Sequence, residues 1–108
     1  MTEKQAYTTN EIRLKKFNED NWCCQYPECD KKSVYMAHRI CSSKVNIKLY
    51  GLKIIHDKRN LVSVCENPLH NDYFNCGFNN KKTLRLVSAI RQDRKFNNSQ
   101  EVTDFLNE

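Results

Sequence analysis

Two pairs of residues in the chain have the chemistry and the spacing of zinc ligands. Cys24 and Cys29 are separated by four residues, and further along Cys65 and His70 repeat that spacing. A structural zinc site needs four nitrogen or sulfur ligands in a tetrahedron, which neither pair supplies alone. We therefore predict that the four residues together bind one structural Zn²⁺ ion, whose binding energy becomes folding energy.

Two other cysteines offer alternatives within this ligand set. Cys23 can replace Cys24, and Cys76 can replace His70. A further alternative is that the cysteines are free and buried, because a thiol packs as a small hydrophobic group. Pro27 indicates that a tight turn presents the first ligand pair. The second pair lies where we expect a strand to end and a helix to begin.

The composition indicates one small domain that needs such a metal. The chain has 108 residues, of which 39% are hydrophobic, and its mean hydropathy is −0.81. A core this small usually requires a metal ion or disulfides. The opening residues, MTEKQAYTT, lack the apolar stretch of a secretory signal, and no apolar run has membrane-spanning length. We expect a cytoplasmic protein with no membrane partner, in which reduced thiols bind metal instead of forming disulfides.

The net charge of +5 is unevenly distributed along the chain. Segments 39–59 and 81–95 are rich in lysine and arginine, whereas the intervening segment 60–80 is nearly neutral. Two basic segments of this kind favour a polyanionic partner, and we expect nucleic acid. The alternative is that these side chains only solvate the surface. The candidate nucleic-acid contacts are Arg39, Lys44, Lys48, Lys53, Lys58, Arg59, Arg85 and Arg91.

Helices are predicted at both ends of the chain. The capping-box spacing of Thr8 and Glu11 predicts a helix that ends near Asp20. Its expected buried residues are Ile12, Leu14 and Phe17. Hydrophobic periodicity predicts a second helix over Lys82–Lys95. Ser99 is expected to cap a last helix. The expected inward residues of these two helices are Leu84, Leu86, Val87, Ile90, Val102, Phe105 and Leu106.

The middle of the chain is predicted to contain two short strands. These are Ser33–Met36 and the β-branched run Leu61–Val64. We expect Lys44–Gly51, between them, to be a polar, basic connector in the loop that joins the two strands.

In this region the chain resembles the HNH endonucleases, which have a ββα-metal fold of the treble-clef type. The likeness covers about residues 22–75 and rests on an ordered set of motifs: CQYPEC, then AHRI, then NLVSVC, then HN. It extends to small uncharacterised bacterial and phage HNH-like proteins through the stretch AHRICSSKVNIKLYGLKIIHDKRNLVSVC.

The resemblance implies specific roles for three residues. His38 is the candidate general base that activates water, and the ordinary pKa of histidine suits that task near neutral pH. Asn60 corresponds to the central asparagine that supports the hairpin. Asn71, directly after His70, corresponds to a ligand of a catalytic divalent ion, Mg²⁺ or similar, which acts on the scissile phosphate.

The resemblance leaves one of the expected catalytic groups, the metal ligand or the general base, without a matching residue. If His38 is the base, the preceding metal-ligand position holds Ala37, which has no donor atom. If Ile40 sets the alignment, His38 is the metal ligand and the base position falls on Arg39, which stays protonated. Two further residues are candidates for the missing group: His56 and Asp72.

We therefore predict a small α+β, zinc-stapled HNH-type domain with added N- and C-terminal helices. Its parts are an N-terminal tail and helix over 1–21, an HNH-like core over 22–80 and C-terminal helices over 81–108. The leading functional hypothesis is metal-dependent hydrolysis of DNA phosphodiester bonds. The alternatives are a catalytically lapsed zinc module that binds nucleic acid, and a zinc domain that binds another protein.

Overall fold

The computed structural model describes residues 10–108 and has a small α+β fold. Two antiparallel strands form its sheet, and helices surround them. None of the helices within this range is long and apolar enough to cross a membrane. In chain order the elements are α1 (Asn10–Glu19), β1 (Tyr35–His38), α2 (Lys44–Tyr50), α3 (Leu52–Ile55), a 3-10 turn (Lys58–Asn60), β2 (Leu61–Val64), α4 (Pro68–Tyr73), α5 (Lys81–Arg91) and α6 (Ser99–Leu106).

The hairpin of β1 and β2 is the centre of the fold. Ala37 pairs with Val62, and His38, the last residue of β1, pairs with Leu61. The predicted strand over Leu61–Val64 is confirmed, and all four of its residues are buried. β1 lies two residues later than the predicted Ser33–Met36, because the residues before Tyr35 make backbone hydrogen bonds outside the regular ladder.

The segment between the strands is helical, and the prediction of a connector in a loop was wrong. The hydroxyl of Ser43 caps α2 by accepting a hydrogen bond from the backbone N–H of Asn46 at 3.2 Å. Ile47 and Tyr50 pack against the core, which provides the tertiary contacts that a helix of only seven residues needs. Gly51 separates α2 from α3 with a φ of +93°, a conformation that favours glycine.

The N-terminal helix ends at Glu19, close to the predicted end, whereas Thr8 lies outside the described residues. Phe17 is buried as predicted and Ile12 is half-buried. Leu14 is 51% exposed, so its predicted burial was wrong.

Lys16 is buried on α1, although it was not among the expected buried residues of this helix. Its ammonium group donates to the carboxylate of Glu19 at 2.8 Å and lies 4.0 Å from that of Asp20. Two nearby carboxylates therefore compensate for removing this positive charge from water.

The apolar residues form two clusters. One lies beneath the hairpin and consists of Cys24, Ala37, Val62, Val64, Cys65 and Phe74. The other joins the C-terminal helices to the region between the strands and consists of Ile40, Ile54, Ile55, Cys76, Leu86, Val87, Ile90, Val102 and Leu106. The predicted C-terminal segment 81–108 therefore packs directly on residues of the predicted 22–80 core.

Both C-terminal helices form close to their predicted positions, with two corrections. Leu84 is 51% exposed, because the buried face of α5 runs instead through Leu86, Val87 and Ile90. The cap of α6 is Asn98, whose side chain accepts from the backbone N–H of Glu101.

Ser99, expected as that cap, is instead buried in a polar network. Its hydroxyl donates to the carboxylate of Asp20 at 2.8 Å, and the same carboxylate accepts from the backbone N–H of Ser63 at 3.0 Å. The guanidinium of Arg39 donates to the carbonyl of Ser99 at 2.9 Å. This network, which we call the Asp20 network, fixes the start of α6 against the hairpin and the end of α1.

Candidate functional site

The four predicted zinc ligands lie together in the structure. The thiols of Cys24, Cys29 and Cys65 and a ring nitrogen of His70 all lie within 4.8 Å of one another. This Cys₃His cluster can bind a metal ion. The two alternative ligands are elsewhere: Cys23 is exposed, and Cys76 is buried in the C-terminal core cluster.

The spacing of the ligand atoms fits a tetrahedral zinc site. Nδ1 of His70 lies 3.6 Å from Sγ of Cys24 and 3.3 Å from Sγ of Cys65. Tetrahedral zinc with ordinary Zn–S and Zn–N bonds separates such a pair by about 3.6 Å. Thiolate and imidazole donors are also the set that structural zinc prefers.

Turns and a helix start present these ligands. Cys24 and Cys29 flank a tight turn, closed by a hydrogen bond from the backbone N–H of Cys29 to the carbonyl of Tyr26 at 3.0 Å. Cys65 directly follows β2, and Asn67 caps α4, which carries His70. The sequence analysis missed the role of Tyr26, whose ring stacks on the His70 imidazole at 3.9 Å and holds its orientation.

The two buried thiols of the cluster differ in acidity. Burial raises the pKa of Cys24 to about 11. The backbone N–H of Asn67 is the main cause that lowers the pKa of Cys65 below its ordinary value. Cys65 is therefore the thiol that ionises more readily, and a bound cation would favour the thiolate of Cys24.

Asn60 lies at the end of the hairpin and is fully buried. Its Oδ1 accepts from the backbone N–H of Ile40 at 2.8 Å, and its Nδ2 donates to the carbonyls of Ile40 and Ile55 at 3.1 and 2.8 Å. The side-chain amide of Asn60 therefore joins Ile40, two residues beyond the end of β1, to Ile55, the last residue of α3. These three hydrogen bonds hold the backbone at the hairpin end, and the functional role expected of Asn60 stays a prediction.

His38, the last residue of β1, lies two residues before Ile40 and is half-buried. Its Nε2 lies 3.4 Å from Nδ1 of His56. Burial, the neighbouring His56 imidazole and the Arg13 guanidinium lower the pKa of His38 to about 4. Burial also lowers the pKa of His56. His38 is therefore neutral at pH 7 and able to accept a proton.

The residues on either side of His38 are buried and offer no catalytic group. Ala37 packs in the hairpin cluster, and Arg39 is 2% exposed. The Arg39 guanidinium bonds to Ser99 and lies 5.4 Å from the centre of the Phe74 ring. Its burial removes Arg39 from the predicted nucleic-acid contacts.

Asn71 lies on the exposed side of α4, next to the ligand His70. Within the described residues no hydrogen bond joins its side chain to His38. Asp72, the other candidate on α4, is also exposed. His56 alone among the candidates for the missing group contacts His38.

The predicted basic contacts include two arginines held by other groups of the protein and five exposed side chains, one of which, Lys58, pairs with Glu19 at 3.4 Å. Arg59 makes two hydrogen bonds to Asp57 and one to Asp93. Arg85 donates to the carbonyl of Phe105 and lies over its ring. These two arginines are held by the protein itself. The exposed members are Lys44, Lys48, Lys53, Lys58 and Arg91.

Comparisons of the chain with protein-family models, with curated proteins and with solved structures give no match.

Proposed function

We propose that the protein is a metal-dependent endonuclease of the HNH type that hydrolyses DNA phosphodiester bonds. The observation that supports it best is the relation between His38 and Asn60. The neutral imidazole of His38 lies at the end of β1, and the buried Asn60 amide holds the chain that follows it through two hydrogen bonds to Ile40. A general base needs both a free proton-accepting nitrogen and a fixed position.

In this proposal His38 takes a proton from the attacking water. Its low pKa keeps it unprotonated through the neutral range, although it also makes the imidazole a weaker base. Asn60 holds the hairpin end that carries His38, and burial of Ala37 and Ile40 on either side restricts movement of that end. The protein therefore supplies position and a proton acceptor, not a covalent nucleophile.

A catalytic divalent ion, Mg²⁺ or similar, would supply charge stabilisation at the phosphate. Asn71 offers one amide oxygen, a donor suited to such an ion, and Ala37 offers none. Such an ion would therefore depend largely on oxygens of the substrate phosphate and of water. The Cys₃His cluster, with its sulfur donors, is a separate structural site.

The exposed lysines of α2 and α3 are the proposed contacts to the DNA backbone. Lys44, Lys48 and Lys53 extend into solvent from the segment that joins the two strands. Charged side chains of this kind give affinity that depends on salt and not on sequence.

A second candidate function is a zinc-stabilised module that binds DNA without cutting it. Burial of Ala37 and Arg39, the two neighbours of His38, favours this alternative, because neither can complete a catalytic centre. The same lysines would then serve binding alone.

Nicking of supercoiled plasmid tests the proposal. Zinc-loaded protein is incubated with plasmid without added metal, or with Mg²⁺, Mn²⁺ or Ni²⁺, beside a His38→Ala variant. We expect nicking that requires added metal and is lost in the variant. A Gln100→Ala variant, changed at an exposed position, serves as the matched control.

Zinc content and circular dichroism must be equal in all three proteins, so that lost nicking reports chemistry and not folding. Salt-sensitive DNA binding without nicking in the unmodified protein would reject the nuclease and leave the binding module.

A further inference from the structure

His38 and His56 form a pair of imidazoles on two different elements. Nε2 of His38 lies 3.4 Å from Nδ1 of His56, and the two rings meet edge to face at 83° with centroids 5.4 Å apart. A hydrogen bond between them requires that one of these nitrogens carries the hydrogen and that the other accepts it.

The backbone around His56 is held in place from three directions. Its N–H donates to the carbonyl of Leu52 at 3.0 Å, which closes the last turn of α3. The preceding Ile55 is fully buried. The following Asp57 accepts from the backbone N–H of Arg59 at 2.8 Å and caps the 3-10 turn.

The two histidines are also coupled through Asn60. This side chain bonds to Ile55, directly before His56, and to Ile40, two residues after His38. The same buried amide therefore restrains the backbone next to both histidines. In a histidine, the hydrogen bond made by one ring nitrogen determines which nitrogen carries the proton.

We propose that His56 is a positioning residue that fixes the tautomer of His38. In this arrangement Nε2–H of His38 donates to Nδ1 of His56, which leaves Nδ1 of His38 as the proton acceptor. Within the described residues no hydrogen bond joins Nδ1 of His38 to another residue, so no protein donor occupies this nitrogen. This inference rests on the proposed role of His38 as a general base.

The surrounding charges favour this neutral pair. Arg13, on α1, is the charged group whose field acts on His38, and it disfavours protonation of that imidazole. A proton on either ring would also face the other imidazole at close range. The hydrogen bond is thus shared between two uncharged rings throughout the neutral range.

Nicking kinetics of two His56 variants test the positioning role. His56→Ala removes the acceptor, and we expect kcat to fall roughly tenfold or more with KM for plasmid unchanged. His56→Asn keeps an acceptor oxygen near the same place, and we expect it to recover most of the lost rate. Equal kcat in all three proteins, or equal loss in both variants, would overturn the proposal.

A spectroscopic measurement tests the tautomer independently of activity. Long-range ¹H–¹⁵N correlation spectra distinguish Nε2–H from Nδ1–H imidazoles, and the His70 ring gives an internal check of the intact zinc cluster. We expect an Nε2–H tautomer for His38 in the unmodified protein and a mixture in His56→Ala.

The Nδ1–H tautomer in the unmodified protein, or an unchanged spectrum in His56→Ala, would refute the inference. If the unmodified protein does not nick DNA, the proposed endonuclease function fails by itself. The spectra still decide whether His56 fixes the ring of His38.

Discussion

Asn60 and Ile40 bond to each other in both directions: the amide oxygen accepts from the Ile40 N–H at 2.8 Å, and the amide nitrogen donates to the Ile40 carbonyl at 3.1 Å. This pair, with the third bond to Ile55, closes the segment between the two strands. The local geometry of that segment therefore depends on one fully buried side chain.

Replacement of Asn60 by alanine should destabilise the protein strongly. It leaves the N–H and C=O of Ile40 and the carbonyl of Ile55 without their partner, and we expect a loss of about 3 kcal/mol or more in the free energy of unfolding. Urea titration followed by circular dichroism measures it. Asn71→Ala, at an exposed position, should change the same quantity by no more than about 0.5 kcal/mol. Equal effects of the two substitutions would contradict this structural role of Asn60.

Zinc should be bound with one ion per chain, and folding should depend on it. Cys65→Ser removes one ligand of the cluster, and we expect loss of both zinc and helical signal. Cys23→Ser and Cys41→Ser change exposed cysteines outside the cluster and should retain both. Elemental analysis and far-ultraviolet circular dichroism provide the two measurements. Zinc retained by Cys65→Ser would show that the cluster is not the binding site.

Acid should destabilise the folded protein through His38. In the unfolded chain His38 has its ordinary pKa of about 6.5, whereas in the folded protein the pKa is lowered to about 4. Between these pH values the unfolded state binds more protons, so stability due to this group is present above pH 6.5 and lost as the pH falls. We expect the urea midpoint to drop less between pH 7 and pH 5 in a His38→Gln variant than in the unmodified protein. Parallel decreases in both proteins would rule out this contribution.

The exposed lysines of α2 and α3 should determine the salt dependence of DNA binding. A variant with Lys44, Lys48 and Lys53 changed to glutamine loses three positive charges, and the slope of log affinity against log salt should become shallower by up to about 2.7. Fluorescence anisotropy with a labelled duplex at several salt concentrations measures the slope. A variant with Lys32, Lys82 and Lys95 changed to glutamine has the same net charge and should keep more of the slope. Identical slopes for the two variants would reject a DNA surface on α2 and α3.

The buried carboxylate of Asp20 should be coupled to the hydroxyl of Ser99. Asp20→Ala leaves the Ser63 N–H and the Ser99 hydroxyl without their acceptor, removes one of the two carboxylates near the Lys16 ammonium, and should cost about 3–5 kcal/mol. Ser99→Ala should cost about 1 kcal/mol, and the double variant less than the sum. Additive losses in a double-mutant cycle would indicate that the two side chains act separately. Asp30→Ala, at an exposed site, is the matched control.

Features governed by local chemistry could be predicted from the sequence. The repeated spacing of Cys24, Cys29, Cys65 and His70 identifies the metal cluster, because few residue types bind zinc. The β-branched run Leu61–Val64 identifies a strand for an equally local reason.

Features that depend on distant partners could not be predicted. α2 is short and leaves Val45 and Leu49 exposed, and it forms because Ile47 and Tyr50 pack on a core built from other segments. Lys16 and Arg39 are buried only because carboxylate and carbonyl groups from elsewhere meet them. The periodicity of α5 was visible, but whether Leu84 or Leu86 faces inward depends on how α5 packs.

The Asp20 network also sets an order of events during protein synthesis. Asp20 leaves the ribosome long before Ser99, and until Ser99 emerges the carboxylate lacks its hydroxyl partner. The Arg39 guanidinium likewise lacks this acceptor until the Ser99 carbonyl has been synthesised. A nascent chain that has completed the hairpin and the zinc ligands therefore still carries two charged side chains with no completed burial site. The native core closes only after translation has delivered the first turn of α6.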